Sequence, residues 1–212
     1  MLRVERSGLV NLFCVVGRHR CTQHAKWCTL AFWGLCRTVS KMAVTTLFRA
    51  EALTTESKTN LIRDVWNRLE GIPGGKLLYS RVVGRLAPYT RTIGAVVQEL
   101  GQGYSRVTLA DRRSVRNHLS CIHAVALANL VELTGNLALG YSLPDDARFI
   151  VSGMSLDYVK KARGTITGEC HIPPIGSSAR NEYDVPVTLK DPGGEVVVKA
   201  TLKTLVGPKQ NA

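Results

Sequence analysis

The chain is poor in several features that would have settled its class at once. It has no apolar run near the ~20 residues of a membrane-spanning helix, since the longest of the first segment are Leu9–Val16 and Trp27–Cys36. It has six cysteines but no CxxC pair, so a zinc site has little support and no metal is expected. Zinc-finger spacing, an RRM motif and a helix-long basic stripe are all missing, which argues against a nucleic-acid partner despite a net charge of +12. There is no internal repeat and no low-complexity stretch. Acidic residues are scarce in one place above all: residues 1–42 hold seven Lys/Arg and the single acid Glu5.

What is present divides the 212 residues unevenly. The first 42 are basic, carry Cys14, Cys21, Cys28 and Cys36, and resemble a mitochondrial transit peptide in composition. Met42-Ala43-Val44 also reads as an ordinary start. The compartment expected is mitochondrial if the segment targets the chain, and cytoplasmic otherwise. The remaining body is only mildly basic, which suits an anionic small molecule as well as any other partner. Its two cysteines, Cys121 and Cys170, read as unpaired packing residues of a reducing compartment.

Along the body, Leu61, Ile62, Val65, Trp66 and Leu69 recur on one face of a 3.6-residue period. They predict an amphipathic helix over 55–70, stopped by Gly71-Ile72-Pro73-Gly74-Gly75. A second helical stretch spans 77–86. Residues 90–100 and 104–110 read as strands joined at Gly101-Gln102-Gly103, with imperfect alternation in the second. Residues 122–143, rich in Ala and Leu, predict a helix that is apolar on nearly every face, ended by Pro144. Four strands follow, over 147–159, 163–172, 182–190 and 195–206. Pro186 predicts that its strand is an edge or is bulged. A buried helix needs an enclosure, and an antiparallel sheet wrapped around it is the economical one, an α+β fold.

Within this order lies the pattern Asn117-x5-His123-Ala124-x7-Glu132, followed later by Tyr158-x3-Ala162-Arg163-Gly164. Residues from about 88 to 206 thereby resemble hotdog-fold thioesterases of the phenylacetate-pathway type, and more closely the branch labelled a domain of unknown function. The resemblance implies a hotdog fold over 88–206, preceded by a helical segment over 43–87 and followed by a tail, 207–212. It implies an acyl-CoA substrate, no cofactor, and a homo-oligomer whose active site lies at the subunit interface, with the carboxylate donated by the partner's helix. Two departures stand out: Ala124 replaces the glycine usual after the histidine, and the carboxylate is Glu where this branch often has Asp.

Physical chemistry supplies roles for these residues. A helix start presents unpaired N–H groups and a positive dipole end, which would polarise a thioester carbonyl at Ala124. Asn117 would hold water or the carbonyl. Glu132 would act as general base or as nucleophile. His123 reads as an orienting or capping residue before a catalytic one. Glu132 lies about 13 Å along a helix from His123, too far for both to serve one carbonyl in one subunit. Arg112, Arg113, Lys160, Lys161 and Arg163 are the candidates for the phosphates of CoA. Two alternatives stay open: a dehydratase or hydratase using His118, and a non-catalytic acyl-CoA-binding module. Residues 1–42 enter none of these roles, so a chain starting at Met42 should remain soluble with an unchanged circular dichroism spectrum. An insoluble product would show that the segment is needed for folding.

Overall fold

The computed structural model describes residues 59–209, so the 1–42 segment and the expected helical residues 55–58 lie outside the described residues. Two helices come first, α1 (Leu61–Leu69) and α2 (Gly75–Leu86). A hairpin of β1 (Val96–Gly101) and β2 (Tyr104–Leu109) follows, then the long helix α3 (Ala124–Ser142). The chain closes with β3 (Ala147–Tyr158), β4 (Ile166–His171), β5 (Asn181–Lys190) and β6 (Val196–Pro208). All six strands form one antiparallel sheet in the order β1-β2-β4-β5-β6-β3, wrapped around α3. This is the α+β hotdog fold. Among the described residues, no helix is long and apolar enough to cross a membrane.

Most of α3 is buried because its sequence is apolar almost all round. Leu130, Val131, Ala138 and Leu139 have no measurable exposure. The sheet supplies the matching layer through Val107 and Leu109 of β2, Ile166 of β4, Val185, Val187 and Leu189 of β5, and Val198 and Leu202 of β6. The pleat alternates cleanly in β2, contrary to the imperfect pattern read from its sequence. Ser105, Val107 and Leu109 face inward and Tyr104, Arg106 and Thr108 outward. Ser105 is tolerated inside because its hydroxyl donates to the Thr134 carbonyl at 2.7 Å, on the helix it faces. The hairpin turn Gln102-Gly103 needs its glycine twice over. Gly103 has φ +69°, and a Cβ there would lie 2.2 Å from the Ile172 carbonyl oxygen. Both body cysteines are buried, and burial pushes the Cys170 thiol up to about 12.

Two expectations need correction. The strand expected over 90–100 begins only at Val96; Thr90–Ile93 instead form a short 3-10 turn closed by Gly94 in the left-handed region, φ 55°. Of the two readings of Pro186, the edge fails, since β5 lies between β4 and β6, while a bulge is present in the β5–β6 ladder, at the shift between Leu189 and Lys190 three residues beyond the proline. The β4 ladder runs only from Thr167↔Lys190 to Cys170↔Val187, so Pro186 sits where β5 has a neighbour on one side alone. The proline costs no ladder bond on that open side.

The helices α1 and α2 form a cover over the C-terminal half of α3. Trp66 and Tyr79, both 1% exposed, lock them together edge to face at 5.0 Å. Asn60 latches the cover to α3. Its side-chain oxygen accepts from the Arg63 N–H at 3.2 Å, capping α1. Its amide donates to the carbonyls of Gly140 (2.7 Å) and Leu143 (3.0 Å), at the α3 end where intrahelical donors run out. Arg63 adds an ion pair to Asp145. The two sheet edges are treated differently. The β1 edge is met by α2, whose Ser80 hydroxyl accepts from the Val97 N–H at 2.9 Å. The outer edge of β3 has no strand beside it among the described residues.

Asn60→Ala removes one helix cap and two buried hydrogen bonds. It should lower stability by about 2–4 kcal/mol in denaturant titration. A loss below about 0.5 kcal/mol, the range of ordinary surface changes, would show that the cover is held without this latch.

Candidate functional site

The loop before α3 is built from local hydrogen bonds. Asn117 Oδ1 accepts from the Leu119 N–H (2.9 Å) and the Cys121 N–H (3.4 Å), and the Asn117 N–H donates to the Cys121 carbonyl at 2.9 Å. The Asn117 oxygen is therefore committed to the turn, and only its Nδ2 end is left to reach a ligand. His118 is exposed on the same turn. His123 is the N-cap of α3: its Nδ1 accepts from the Val125 N–H at 3.1 Å. This is the capping role favoured for it from the sequence. Ala124 opens the helix and is exposed, and its carbonyl accepts from the Tyr158 hydroxyl at 3.1 Å. No acceptor for the Ala124 N–H is present among the described residues.

The segment 159–165 is pinned against this helix start. The Ile122 N–H donates to the Ala162 carbonyl (2.9 Å), and the Gly164 N–H donates to Asp111 Oδ2 (2.8 Å). Asp111 also binds Arg116 at 2.6 Å, and that guanidinium holds its carboxyl below the usual range. The five expected phosphate-binding cations thus share one region but not one state. Arg112 spends its guanidinium on the Ile93 carbonyl, holding the end of the 3-10 turn. Lys160 is paired with Asp191 (2.8 Å) and Glu195 of the β5–β6 turn. Arg113, Lys161 and Arg163 are exposed and carry no ion pair among the described residues. They leave a basic rim around the helix start.

Glu132 lies further along α3. Where the sequence suggested full burial, it is half-buried, on a stripe with Val125, Ala128 and Asn136 that the sheet leaves uncovered. The spacing of that stripe is one face of a helix. Neither Arg148 nor Lys160, the structural partners considered for it, pairs with it, and among the described residues it makes no ion pair. Its carboxylate opens on a cavity of about 450 Å³ between α3, α1, α2 and the start of β3. That volume falls in the range of roughly 300–1,000 Å³ for small-molecule sites. Asn136, one turn on, lines the same cavity, and its side-chain oxygen is buried with no partner. Asn129, one turn before, is 5% exposed, and its side-chain oxygen is likewise unpartnered. Sequence reasoning missed both asparagines. The signal was available, since Asn129, Glu132 and Asn136 are the polar residues of one face in an otherwise apolar helix.

The inward face of β3 completes the picture. Met154, Leu156 and Tyr158 pair with Leu202, Ala200 and Val198, whose side chains face α3. Met154 and Tyr158 nevertheless remain 42% and 49% exposed.

Comparison with known proteins gives a consistent answer. Residues 75–206 match the model of the family described as a domain of unknown function, DUF4442. The genomics target APC5556 is 29% identical, covering 70% of this chain and 99% of its own, with a TM-score of 0.61. A Pseudomonas aeruginosa protein of unknown function, described as a probable thioesterase, is 22% identical over 65% of this chain and 97% of its own, with a TM-score of 0.57. A thioesterase of Haemophilus influenzae shares the fold at 14% identity over 61% of this chain and 90% of its own, with a TM-score of 0.54. A search of curated proteins gives no match. With the family model spanning more than half of the sequence, the chain belongs to the DUF4442 family, and the sheet wrapped on α3 gives it the hotdog fold of these solved structures.

Proposed function

We propose that the protein is an acyl-CoA thioesterase, cleaving a fatty or aryl acyl-CoA to free acid and CoA. One observation carries the reading: Glu132, with no ion pair among the described residues, presents its carboxylate to a cavity otherwise lined mostly by apolar side chains. A carboxylate in such surroundings is costly to keep for packing alone, and a pocket carboxylate is a candidate for proton transfer.

The chemistry follows from the donor set. A water donating one hydrogen to Glu132 and the other to the orphan Asn136 oxygen turns a lone pair outward. It attacks the thioester carbonyl carbon while its proton passes to Glu132. The negative charge developing on the carbonyl oxygen is met by the Ala124 N–H at a helix N-terminus. The Asn117 amide stands in the preceding loop as a second donor. Collapse of the tetrahedral intermediate breaks the C–S bond, and Glu132 returns the proton to the departing thiolate. His123 acts here by fixing the helix start. Arg113, Lys161 and Arg163 take the phosphates of CoA, and Arg112 and Lys160 support the loops that carry them.

Glu132 and Ala124 of one subunit stand about 12 Å apart along the helix at 1.5 Å per residue. The reading therefore needs two copies, one giving the helix start and the other the carboxylate. The open edge of β3 and the exposed Met154 and Tyr158 beside it are a surface of the right kind for that pairing. The dehydratase alternative draws no support from His118, which is exposed and does not line the cavity.

Glu132→Ala should cut hydrolysis of acyl-CoA by at least about 100-fold, the lower range for a general base, with an unchanged melting temperature. Asn136→Ala should lower kcat with little change in KM. Wild-type protein that binds CoA esters without turnover would instead make this a binding module. Met154→Asp should convert a dimer to a monomer in light scattering and abolish turnover with it; an active monomer would contradict the shared site.

A further inference from the structure

The cavity does not stop at Glu132. It runs away from the helix start, along the C-terminal half of α3, past Leu133, Leu137 and Gly140. Ile62 of α1 and Val83 of α2 roof it, with Ala87 beside them. At Gly140 a Cβ would lie 2.5 Å from Ile62 Cδ1 and 3.2 Å from Phe149 Cε1, so these two side chains close over the glycine. The Asn60 latch holds α1 down at the same place. The polar residues deepest along α3 are Glu132 and Asn136; Arg148 and Lys209 border the cavity where β3 begins and β6 ends.

We infer that this cavity, formed within one subunit beneath the α1–α2 cover, is the acyl-chain site. It selects unbranched aliphatic chains of medium length over acetyl groups. This rests on the reading of Glu132 as the catalytic carboxylate and extends it. A chain whose thioester stands at Glu132 meets an apolar path leading away from the basic rim, past Leu133, Leu137 and Gly140 and under the cover. These walls along α3 suit an alkyl chain better than phosphates, and the two cations of the lining, Arg148 and Lys209, stand at its β3–β6 border. The depth is finite because the cavity holds only about 450 Å³. Each methylene buried in such a channel should raise binding about fourfold, until the channel is full.

The test uses the full chain and a series of saturated acyl-CoAs from acetyl to tetradecanoyl, read by kcat/KM and by thermal shift. In the wild type, kcat/KM should climb about fourfold per added methylene and then level off. Ala87→Phe, which narrows the channel from the cover side, should lower the decanoyl-to-acetyl ratio by at least about tenfold, the effect of displacing two methylenes. Leu137→Ala, which widens it, should move the plateau to longer chains. Should one variant fail to fold, the other still decides. Equal efficiency for all chain lengths, or variants that leave the ratio unmoved, would overturn the inference while leaving the hydrolase reading standing. If no acyl-CoA is hydrolysed but thermal shifts rise with chain length and Ala87→Phe flattens them, the hydrolase reading falls and the acyl site stands.

Discussion

The burial of α3 is the constraint on which the rest depends. A helix with leucine, valine and alanine on nearly every face has no stable place at a surface. The sheet takes most of that surface, and the sheet's inward residues alternate to match it. The α1–α2 cover takes the C-terminal half of what remains. A narrow stripe is left partly uncovered, and it is there that the helix carries Glu132 and Asn136, with the buried Asn129 one turn before. The cavity is thus a consequence of enclosure by two separate layers that do not quite meet.

Much of this was legible in the sequence because the signals were periodic. The 3.6-residue pattern from Leu61 to Leu69 and the unbroken apolar composition of α3 gave both helices. The alternation of Val185, Val187 and Leu189, and of Val196 to Leu202, gave β5 and β6 with their turn. Where local pattern failed, a tertiary contact had overridden it. Thr90–Ile93 reads as strand, yet Arg112 and Gly94 fold it into a 3-10 turn. The alternation over 104–110 reads as imperfect, yet in β2 it is regular, with Ser105 inward where the Thr134 carbonyl accepts its hydroxyl. Pro186 reads as marking an edge or a bulge, yet β5 is internal, and the proline sits in the half of it beyond β4.

The site was legible by residue type and less so by state. Glu132 stood out as a charge in an apolar helix, and the structure opens a cavity to it. Ala124 and His123 fell where the capping pattern put them. The cations were harder, because nothing local distinguishes Lys160, consumed by Asp191 and Glu195, from Lys161 beside it, which is not. Asn117 shows the same difficulty: its oxygen is bound within its own turn, a fact settled by loop closure rather than by spacing. The cavity itself was invisible, since it is bounded by side chains from α1, α2, α3, β3 and the end of β6.

The central claim is that Glu132 of one subunit and the α3 start of another address the same thioester. A crystal structure of the Glu132→Gln variant with unhydrolysed decanoyl-CoA bound tests it most directly. The account predicts two copies paired along β3. The thioester carbonyl would be within hydrogen-bond reach of the Ala124 N–H of one, and the substituted side chain of the other would lie beside the carbonyl carbon. The acyl chain would run under the α1–α2 cover of the subunit that supplies residue 132. A monomer, or a ligand bound away from both groups, would contradict it.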